Sequence, residues 1–292
     1  MTLNLRETLP ESAAASQSAS GTMNVETAVL GRIGHLETRL ATTPEEIAAA
    51  QTVRFNVFVR EMGAVLPPES MRRGRDMDAF DAVCDHLLVL DRSLAGPAKE
   101  QIVGTYRLLR QEVARANTGF YSTSEFAISE MLARHPEKRF MELGRSCVLP
   151  QYRTRRTVEL LWQGNWAYAL EYGVDVMFGC ASLQGVRPQA HALALSFLYH
   201  NCLTEGAWYV RARPELFNNM DLMPKEAVNT RQAVNAMPPL LKGYLRLGAT
   251  VGDGAVVDKA FGTTDVMVVL PTAQISDRYI NYYGADASRF AS

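Results

Sequence analysis

From Gly34 onward, short runs with the alternation of a strand are interleaved with longer runs that carry the period of a helix. That interleaving limits the chain to a sheet wrapped by helices. "HLETRLAT" alternates and reads as a strand, and "TPEEIAAAQTVRFNVFVREMG" opens on a Thr cap, a Pro in the first turn and acidic residues before running on as an amphipathic helix. After a polar, Arg- and Asp-rich loop from Pro67 to Asp81, "DHLLVLDR" and "QIVGTYRLLR" form a hairpin across Gly96 and Pro97. "RFMELGRSCVLP" is a further strand ended by Pro150, and "TVELLWQGNWAYALEYG" a helix stopped at Gly173. "VDVMFGCASL" reads as a buried strand, "QAHALALSFLYHNCL" as a helix and "WYVRARP" as a strand. The helix "PPLLKGYLRLGA" and the strands "GAVVDKAF" and "DVMVVLP" close the chain. The expected fold class is α/β (α+β), a mixed central sheet flanked by helices. Residues 1–30, rich in Ser, Ala and Thr, read as a disordered leader, and 31–292 as a single domain.

Charge and composition exclude some functions. Thirty Lys and Arg stand against 31 Asp and Glu, a formal charge of −1, so no nucleic-acid partner is expected. No apolar run approaches the ~18 residues that span a bilayer, and the N-terminus has no secretory pattern, so a cytoplasmic protein is expected. The four cysteines, Cys84, Cys147, Cys180 and Cys202, are far apart and form no CxxC pair. They read as buried free thiols, and no metal site is expected.

The densest polar group in an apolar strand is "MELGRSCV", with Glu142 and Arg145 three residues apart. Alternation puts such a pair on opposite faces unless a bulge intervenes, and Gly144 makes one feasible. Spacing alone fits a surface ion pair equally well. Arg54 and Phe58 lie one helical turn apart, and Asp78 and Asp81 follow in the polar loop. Arg54 reads by position as a solvated charge, and the two aspartates as loop and cap residues. Arg107, inside "GTYRLLR", needs an acidic partner if buried. The turn "QYRTRRTVELL" brings Arg153, Arg155 and Arg156 to a helix entrance, which suits an anion such as phosphate, or simply a solvated basic turn.

"VRFNVFVREMG", "DMDAFDAVCDHLLVLD", "IVGTYRLL" and "FMELGRSCVLPQYR" resemble, in order and spacing, the acyl-homoserine-lactone synthases. Those are GNAT-fold enzymes that acylate the amine of S-adenosylmethionine from acyl carrier protein. A longer resemblance, carried by "ELGRSCVLPQYRTRRTVELLWQGNWAYAL" and "PPLLKGYLRLGATVGDGAVVDKAFGTTDV", is to the bacterial L-ornithine Nα-acyltransferases of ornithine-lipid synthesis, also labelled hemolysin-like. The tryptophan that lactone synthases carry after the helix arginine is Ala64 here. The glycines of the usual GNAT pyrophosphate loop are missing from "QYRTRR".

The resemblance implies transfer of a (3-hydroxy)acyl group from acyl carrier protein to the α-amine of L-ornithine, giving lyso-ornithine lipid. The acyl-phosphopantetheine thioester would be a substrate, and no cofactor is implied. Glu142 would be the base, with Arg145 keeping it ionised or orienting it, and a backbone amide near Cys147 or Val148 would meet the oxyanion. Arg54, Phe58, Asp78, Asp81, Arg107 and Lys242 would form the acceptor site, Arg107 or Lys242 taking the carboxylate and Asp78 or Asp81 the distal ammonium. Val148, Gln151, Arg153, Arg155 and Arg156 would receive the donor. The acyl tail would lie between the Val158–Tyr172 helix and the Val174–Leu183 strand, near Trp162, Trp166 and Phe178. Glu142 and Arg145 should border a V-shaped opening between their strand and "DVMFGC". The lipid product implies peripheral contact with the inner membrane. Two other readings stand: an acyl-homoserine-lactone synthase, and a non-enzymatic interaction protein on a GNAT scaffold.

Overall fold

The strand-like runs assemble into one sheet whose order is β1-β2-β3-β4-β5-β6-β9-β7, with β8 also on β9, in a computed structural model that describes residues 28–275. The leader expected over residues 1–30 falls almost wholly outside those residues. Leu30 is already in the core, its N–H bonded to the Thr38 carbonyl. The strands are β1 (Gly31–Ile33), β2 (Leu36–Leu40), β3 (Asp85–Asp91), β4 (Ile102–Arg110), β5 (Phe140–Val148), β6 (Val176–Gln184), β7 (Thr250–Val251), β8 (Val256–Asp258) and β9 (Thr263–Pro271). The helices are α1 (Pro44–Phe55), α2 (Pro68–Arg73), α3 (Gln111–Ala116), α4 (Ile128–Arg134), α5 (Arg155–Glu171), α6 (Ala192–Cys202), α7 (Thr230–Ala236) and α8 (Pro239–Arg246). Neighbouring strands run antiparallel except β5 and β6, which are parallel.

Two helix signals act as the sequence predicts: Thr43 caps α1 by accepting from the Glu46 N–H, and Gly173 follows α5 at φ +59. The helix expected from Thr157 begins earlier, at Arg155, because Thr154 caps it by accepting from the Thr157 N–H. Alternation along β3 divides the core. Leu87 and Val89 face α5, packing with Leu160, Leu161 and Trp162, whereas Leu88 and Leu90 face Ala50, Val53 and Val57 of the α1 segment. Each such buried side chain contributes about 1.5–3 kcal/mol relative to exposure.

Three expectations need correction. The Pro67–Asp81 loop contains α2, closed by Gly74 at φ +64. "WYVRARP" is not a sheet strand: β7 and β8 already occupy the outer edge of β9, and this segment makes only isolated bridges, Arg211 with Asp253 and Ala212 with Phe126. "GAVVDKAF" yields only the three residues of β8, because Asp258 turns its Oδ1 to the Ala260 and Phe261 N–H groups and ends the strand.

Candidate active site

β5 and β6 pair over only three residues, Phe140 to Glu142 with Val176 to Phe178, and then part. Two local features open them. On the β4 side, Thr105 opposes Cys147 while Arg107 opposes Gly144, so β5 carries one extra residue there and bends. That residue is Arg145 itself, in left-handed backbone at φ 49, and not Gly144 as expected. A non-glycine residue held there costs on the order of 1–3 kcal/mol, so its surroundings must fix it. At the vertex, a Cβ on Gly179 would stand 2.2 Å from the Leu143 carbonyl oxygen, so this approach of the two backbones requires glycine. The Leu149 N–H donates to Val103 on β4. Since successive N–H groups of a strand point to opposite edges, that of Val148 points into the opening.

A cavity of about 880 Å³ passes through this opening from one face of the sheet to the other. Its apolar limb, on the α5 side, is walled by Leu143, Leu161, Trp162, Pro239, Leu240 and Tyr244. Trp166 and Phe178, expected along the tail, are not in the wall. Its polar limb, on the opposite face, meets Phe58, Arg107, Tyr121, Glu142, Arg145 and Asp265. At the junction the Tyr106 and Tyr244 hydroxyls lie 2.7 Å apart. Phe58 sits in a π-helical turn, Asn56–Glu61, that continues α1, with its ring edge-on to Phe261.

Beneath the polar limb lies a closed network of three guanidiniums and three carboxylates. Arg54 is fully buried, which corrects its reading as a solvated charge. It bonds Asp76 through Nε at 2.8 Å and Asp81 through both terminal nitrogens at 2.8 and 2.9 Å. Arg107 binds Asp78 at 2.5 Å and Asp81 at 3.1 Å, and Arg145 binds Asp76 and Asp78, each at 3.2 Å. Asp78 and Asp81 also close a reciprocal capping box, Asp78 accepting from the Phe80 N–H and Asp81 from the Asp78 N–H. These contacts leave Asp78 and Asp81 to the arginines rather than to a ligand ammonium, and neither, like Arg54, reaches the cavity wall. Asp76 was not foreseen, although the spacing of Asp76, Asp78 and Asp81 carried the signal.

Glu142 is buried at the vertex and lines the cavity. Its Oε1 accepts from the Ser122 N–H at 2.8 Å and the Ser122 hydroxyl at 2.5 Å, and its Oε2 from the Tyr121 N–H at 2.7 Å. Oε2 therefore keeps one acceptor position. Burial raises the Glu142 carboxyl pKa against the opposing effect of these donors. Arg145 does not bond Glu142, contrary to expectation; the loop from Tyr121 to Ser122 orients it. Tyr121 nevertheless links the two, donating its N–H to Glu142 while its ring lies 4.8 Å from the Arg145 guanidinium. The bulge has thus brought Arg145 round to the side of Glu142.

The basic turn is divided in its contacts. Arg153 lines the cavity but forms a fork with Glu61, at 2.5 and 2.7 Å, and donates to the Val148 carbonyl. Arg155 is exposed, paired with Glu159, and borders the cavity mouth. Gln151 and Arg156 are exposed outside the wall. Lys242 is also outside it, whereas Arg246, one turn further along α8, lines it. Burial pushes the thiols up, Cys84 and Cys147 to about 12 and Cys202 to about 11, with Cys180 well above its ordinary value.

A second acidic group, unforeseen because its members come from three distant segments, lies on the polar limb. Carboxylate oxygens of Glu125, Asp258 and Asp265 all fall within 4.8 Å of one another. An oxygen-only set of this kind suits a hard cation or an ammonium.

Residues 53–163 match the model of the acetyltransferase (GNAT) domain. The chain is 69% identical over 264 residues to an L-ornithine N(alpha)-acyltransferase of Rhizobium meliloti (strain 1021), covering 90% of this chain and 89% of that protein. The protein of the same name from Brucella abortus (strain 2308) is 56% identical, with 94% and 98% covered. That from Rhodobacter capsulatus is 38% identical, with 85% and 94% covered. A solved N-acyl amino acid synthase from uncultured soil microbes aligns over 82% of this chain and 91% of its own, with a TM-score of 0.47 and 11% identity.

Proposed function

Because the chain belongs to the L-ornithine N(alpha)-acyltransferase family, we propose that it transfers a 3-hydroxyacyl group from acyl carrier protein to the α-amine of L-ornithine. The product is lyso-ornithine lipid, the first step toward ornithine lipids. The observation that carries this reading is the opening between β5 and β6, with Glu142 at its vertex, the Val148 N–H on its edge and an apolar limb beyond it.

In this reading the pantetheine arm enters the opening as an extra strand, and the acyl chain runs toward Trp162 and Tyr244. An α-amine titrates at about 8, so most of it is protonated at neutral pH and must lose a proton before attack. Glu142 accepts that proton at Oε2, directly or through one water. The amine nitrogen then bonds to the thioester carbonyl carbon, and the carbonyl electron pair moves onto oxygen, where the Val148 N–H donates to the oxyanion. Collapse re-forms the carbonyl and expels the thiolate, which takes up the proton held by Glu142, while the nitrogen gives its second proton to solvent and becomes the neutral amide. Transfer is direct: thiols held up by burial, Cys147 at about 12, are not thiolates at neutral pH. Arg107, on the cavity wall, meets the acceptor carboxylate. The thioester is a substrate, and no resident cofactor takes part.

The donor assignment rests on the mouth of the cavity. "QYRTRR" has no glycine to let backbone amides approach a diphosphate, and Arg153 is engaged by Glu61. Exposed Arg155 and Arg156 suit the acidic surface of a carrier protein. No helix among the described residues is long and apolar enough to cross a membrane. We place the enzyme in the cytoplasm, touching the inner membrane as its lipid product leaves.

The test is competition. Purified protein receives 3-hydroxyacyl-loaded carrier protein with ornithine, lysine and S-adenosylmethionine together, and products are separated by mass. Acyl-ornithine should dominate. Release of methylthioadenosine would instead identify a lactone synthase, and the absence of any acylated amine would leave a binding scaffold.

A further inference from the structure

Glu125, Asp258 and Asp265 converge from the turn after Tyr121, from the end of β8 and from β9, and their oxygens lie within 4.8 Å of one another. Asp258 and Asp265 line the polar limb of the cavity together with Cys180, Ser182 and Thr263. The cluster contrasts with the Arg54 network beside it, where three carboxylates face three guanidiniums. The guanidinium whose charge reaches Glu125 and Asp265 is that of Arg145, already ion-paired to Asp76 and Asp78. What the three acids accept is small. Asp258 Oδ1 takes the Ala260 and Phe261 N–H groups, and Glu125 Oε2 takes the weak Cys180 S–H at 3.4 Å. Asp265 has the Ser182 and Thr263 hydroxyls beside it and is only 6% exposed, yet its Oδ1 is buried without a hydrogen-bond partner.

An orphaned acceptor inside an acidic pocket on a cavity wall calls for a cationic donor from the ligand. We propose that Glu125, Asp258 and Asp265 bind the side-chain ammonium of the acceptor amino acid and thereby select an α,ω-diamino acid over uncharged analogues. This inference rests on the reading that Glu142 serves the α-amine. A primary ammonium has three donors, and three carboxyl groups surround it. The charge state agrees: burial, then the charge of Asp265, pushes Glu125 up to about 7, and burial pushes Asp265 up to about 6, as expected of acids that lack a counter-charge.

The sheet register places the pocket at the right remove. Glu142 pairs with Phe178, and Asp265 pairs with Ser182, four residues further along β6. At ~3.3 Å per residue and ~4.8 Å between strands, Glu142 and Asp265 are ~13 Å apart along β6 and ~10 Å across it, about 16 Å in all. That gap fits a short diamino acid with one water at each end. Asp78 and Asp81, expected in this role from sequence, have their oxygens taken by arginines.

The experiment compares kcat/KM for ornithine, lysine and norvaline, which keeps ornithine's carbon chain but lacks the distal ammonium. It uses wild type, Asp265→Asn and Glu125→Gln with one acyl donor. Wild type should prefer ornithine to norvaline strongly, and each variant should reduce that ratio by about 10- to 100-fold, mainly through the ornithine KM. An unchanged ratio in both variants overturns the proposal, as does a wild type that uses norvaline as well as ornithine, which would leave the acyl transfer itself standing. If wild type prefers some other amine, the ornithine reading fails. The subsite is then judged by whether a second cation on that amine is what Asp265→Asn ceases to recognise. Calorimetric titration with Mg²⁺ and Ca²⁺ supplies a further check: tight 1:1 binding lost in Asp265→Asn, with activity abolished by chelator, would make this a metal site and refute the ammonium.

Discussion

Replacing Arg54 with Met keeps the volume of the side chain and removes a charge on which two buried carboxylates depend. The substitution deletes four hydrogen bonds, two to Asp81, one to the Asp76 carboxylate and one to the Asp76 carbonyl. Breaking a buried pair from one side costs about 3–5 kcal/mol. Arg107 still reaches Asp81 and Arg145 still reaches Asp76, so the lower end, about 3 kcal/mol, applies. At ~2–4 °C per kcal/mol for a domain of this size, Tm at pH 7 should fall by ~6–12 °C. The pH dependence identifies the cause. Burial alone would raise the Asp81 pKa, but the hydrogen bonds and charge of Arg54, then the charge of Arg107, hold it well below the ordinary carboxylate range. A lowered folded pKa gives stability that is present above the unfolded value near 4 and is lost as pH falls toward the folded one. The variant lacks most of that contribution, so its deficit against wild type should shrink between pH 5 and pH 3. Thermal melts across that range, with calorimetry at pH 7, read both effects. A fall under ~1 °C at pH 7, or a deficit that stays constant down to pH 3, refutes the network as a stabilising unit.

Four further expectations follow from the same geometry. Glu142→Gln should lower kcat by ~10²–10⁴-fold with little change in ornithine KM, and the loss should narrow at high pH, where more amine is neutral; equal rates at pH 7 would remove Glu142 from the chemistry. Gly179→Ala sets a Cβ against the Leu143 oxygen, so it should cost about 1–3 kcal/mol and widen or misalign the opening, seen as a lower Tm with a raised donor KM. Glu125, raised to about 7, binds its proton more tightly folded than unfolded, so stability falls as pH rises from ~4 to ~7. Among Asp258, Asp265, Cys180 and Arg145, Glu125→Gln should therefore melt above wild type at pH 8 and level with it at pH 4. Arg155→Ala with Arg156→Ala should raise the carrier-protein KM, and added salt should mimic it as the Debye length falls from ~10 Å at 0.1 M to ~3 Å at 1 M; a salt-independent KM in wild type would refute the electrostatic donor contact.

Local signals were legible in the sequence where one residue's own chemistry sets the structure. Thr43, Pro44 and Gly173 mark helix ends because caps and left-handed stops act within a single turn. Near-continuous apolar runs marked β3, β4, β6 and β9 because both faces of the sheet are covered. The sequence left a bulge open as one alternative, made feasible by Gly144, the residue that tolerates left-handed backbone. Arg145 adopts it because Asp76, Asp78, Tyr121 and Phe261 hold its guanidinium, a condition set by distant segments. The burial of Arg54 was illegible for the same reason: its helix position looks solvated until the segment from Asp76 to Asp81 folds over it. The loop that orients Glu142, and the cluster of Glu125, Asp258 and Asp265, are joined only in the fold, and no spacing could have announced them.

The two acidic groups separate structural charge from charge that awaits a ligand. Around Arg54 each carboxylate oxygen pair meets guanidinium or backbone donors, and removing any member leaves a buried charge. Around Asp265 the acids accept two amides, a thiol and neighbouring hydroxyls, and burial lets Glu125 and Asp265 hold protons up to near-neutral pH. Arg145 stands between them, ion-paired to the first group and within electrostatic reach of the second. Its left-handed backbone is therefore held by the closed group, to which its guanidinium is bonded. An ammonium arriving at Asp265 would meet this fixed positive charge as a boundary, confining it to the far side of the cluster, and a donor complex that moved Arg145 would change that boundary. Whether donor and acceptor binding are coupled through this boundary is testable at one bulged residue. If Arg145 couples them, Arg145→Lys, which replaces the planar fork with a point charge and loses its stacking on Tyr121 and Phe261, should alter the dependence of ornithine KM on donor concentration and not only lower the rate; a dependence unchanged from wild type refutes the coupling.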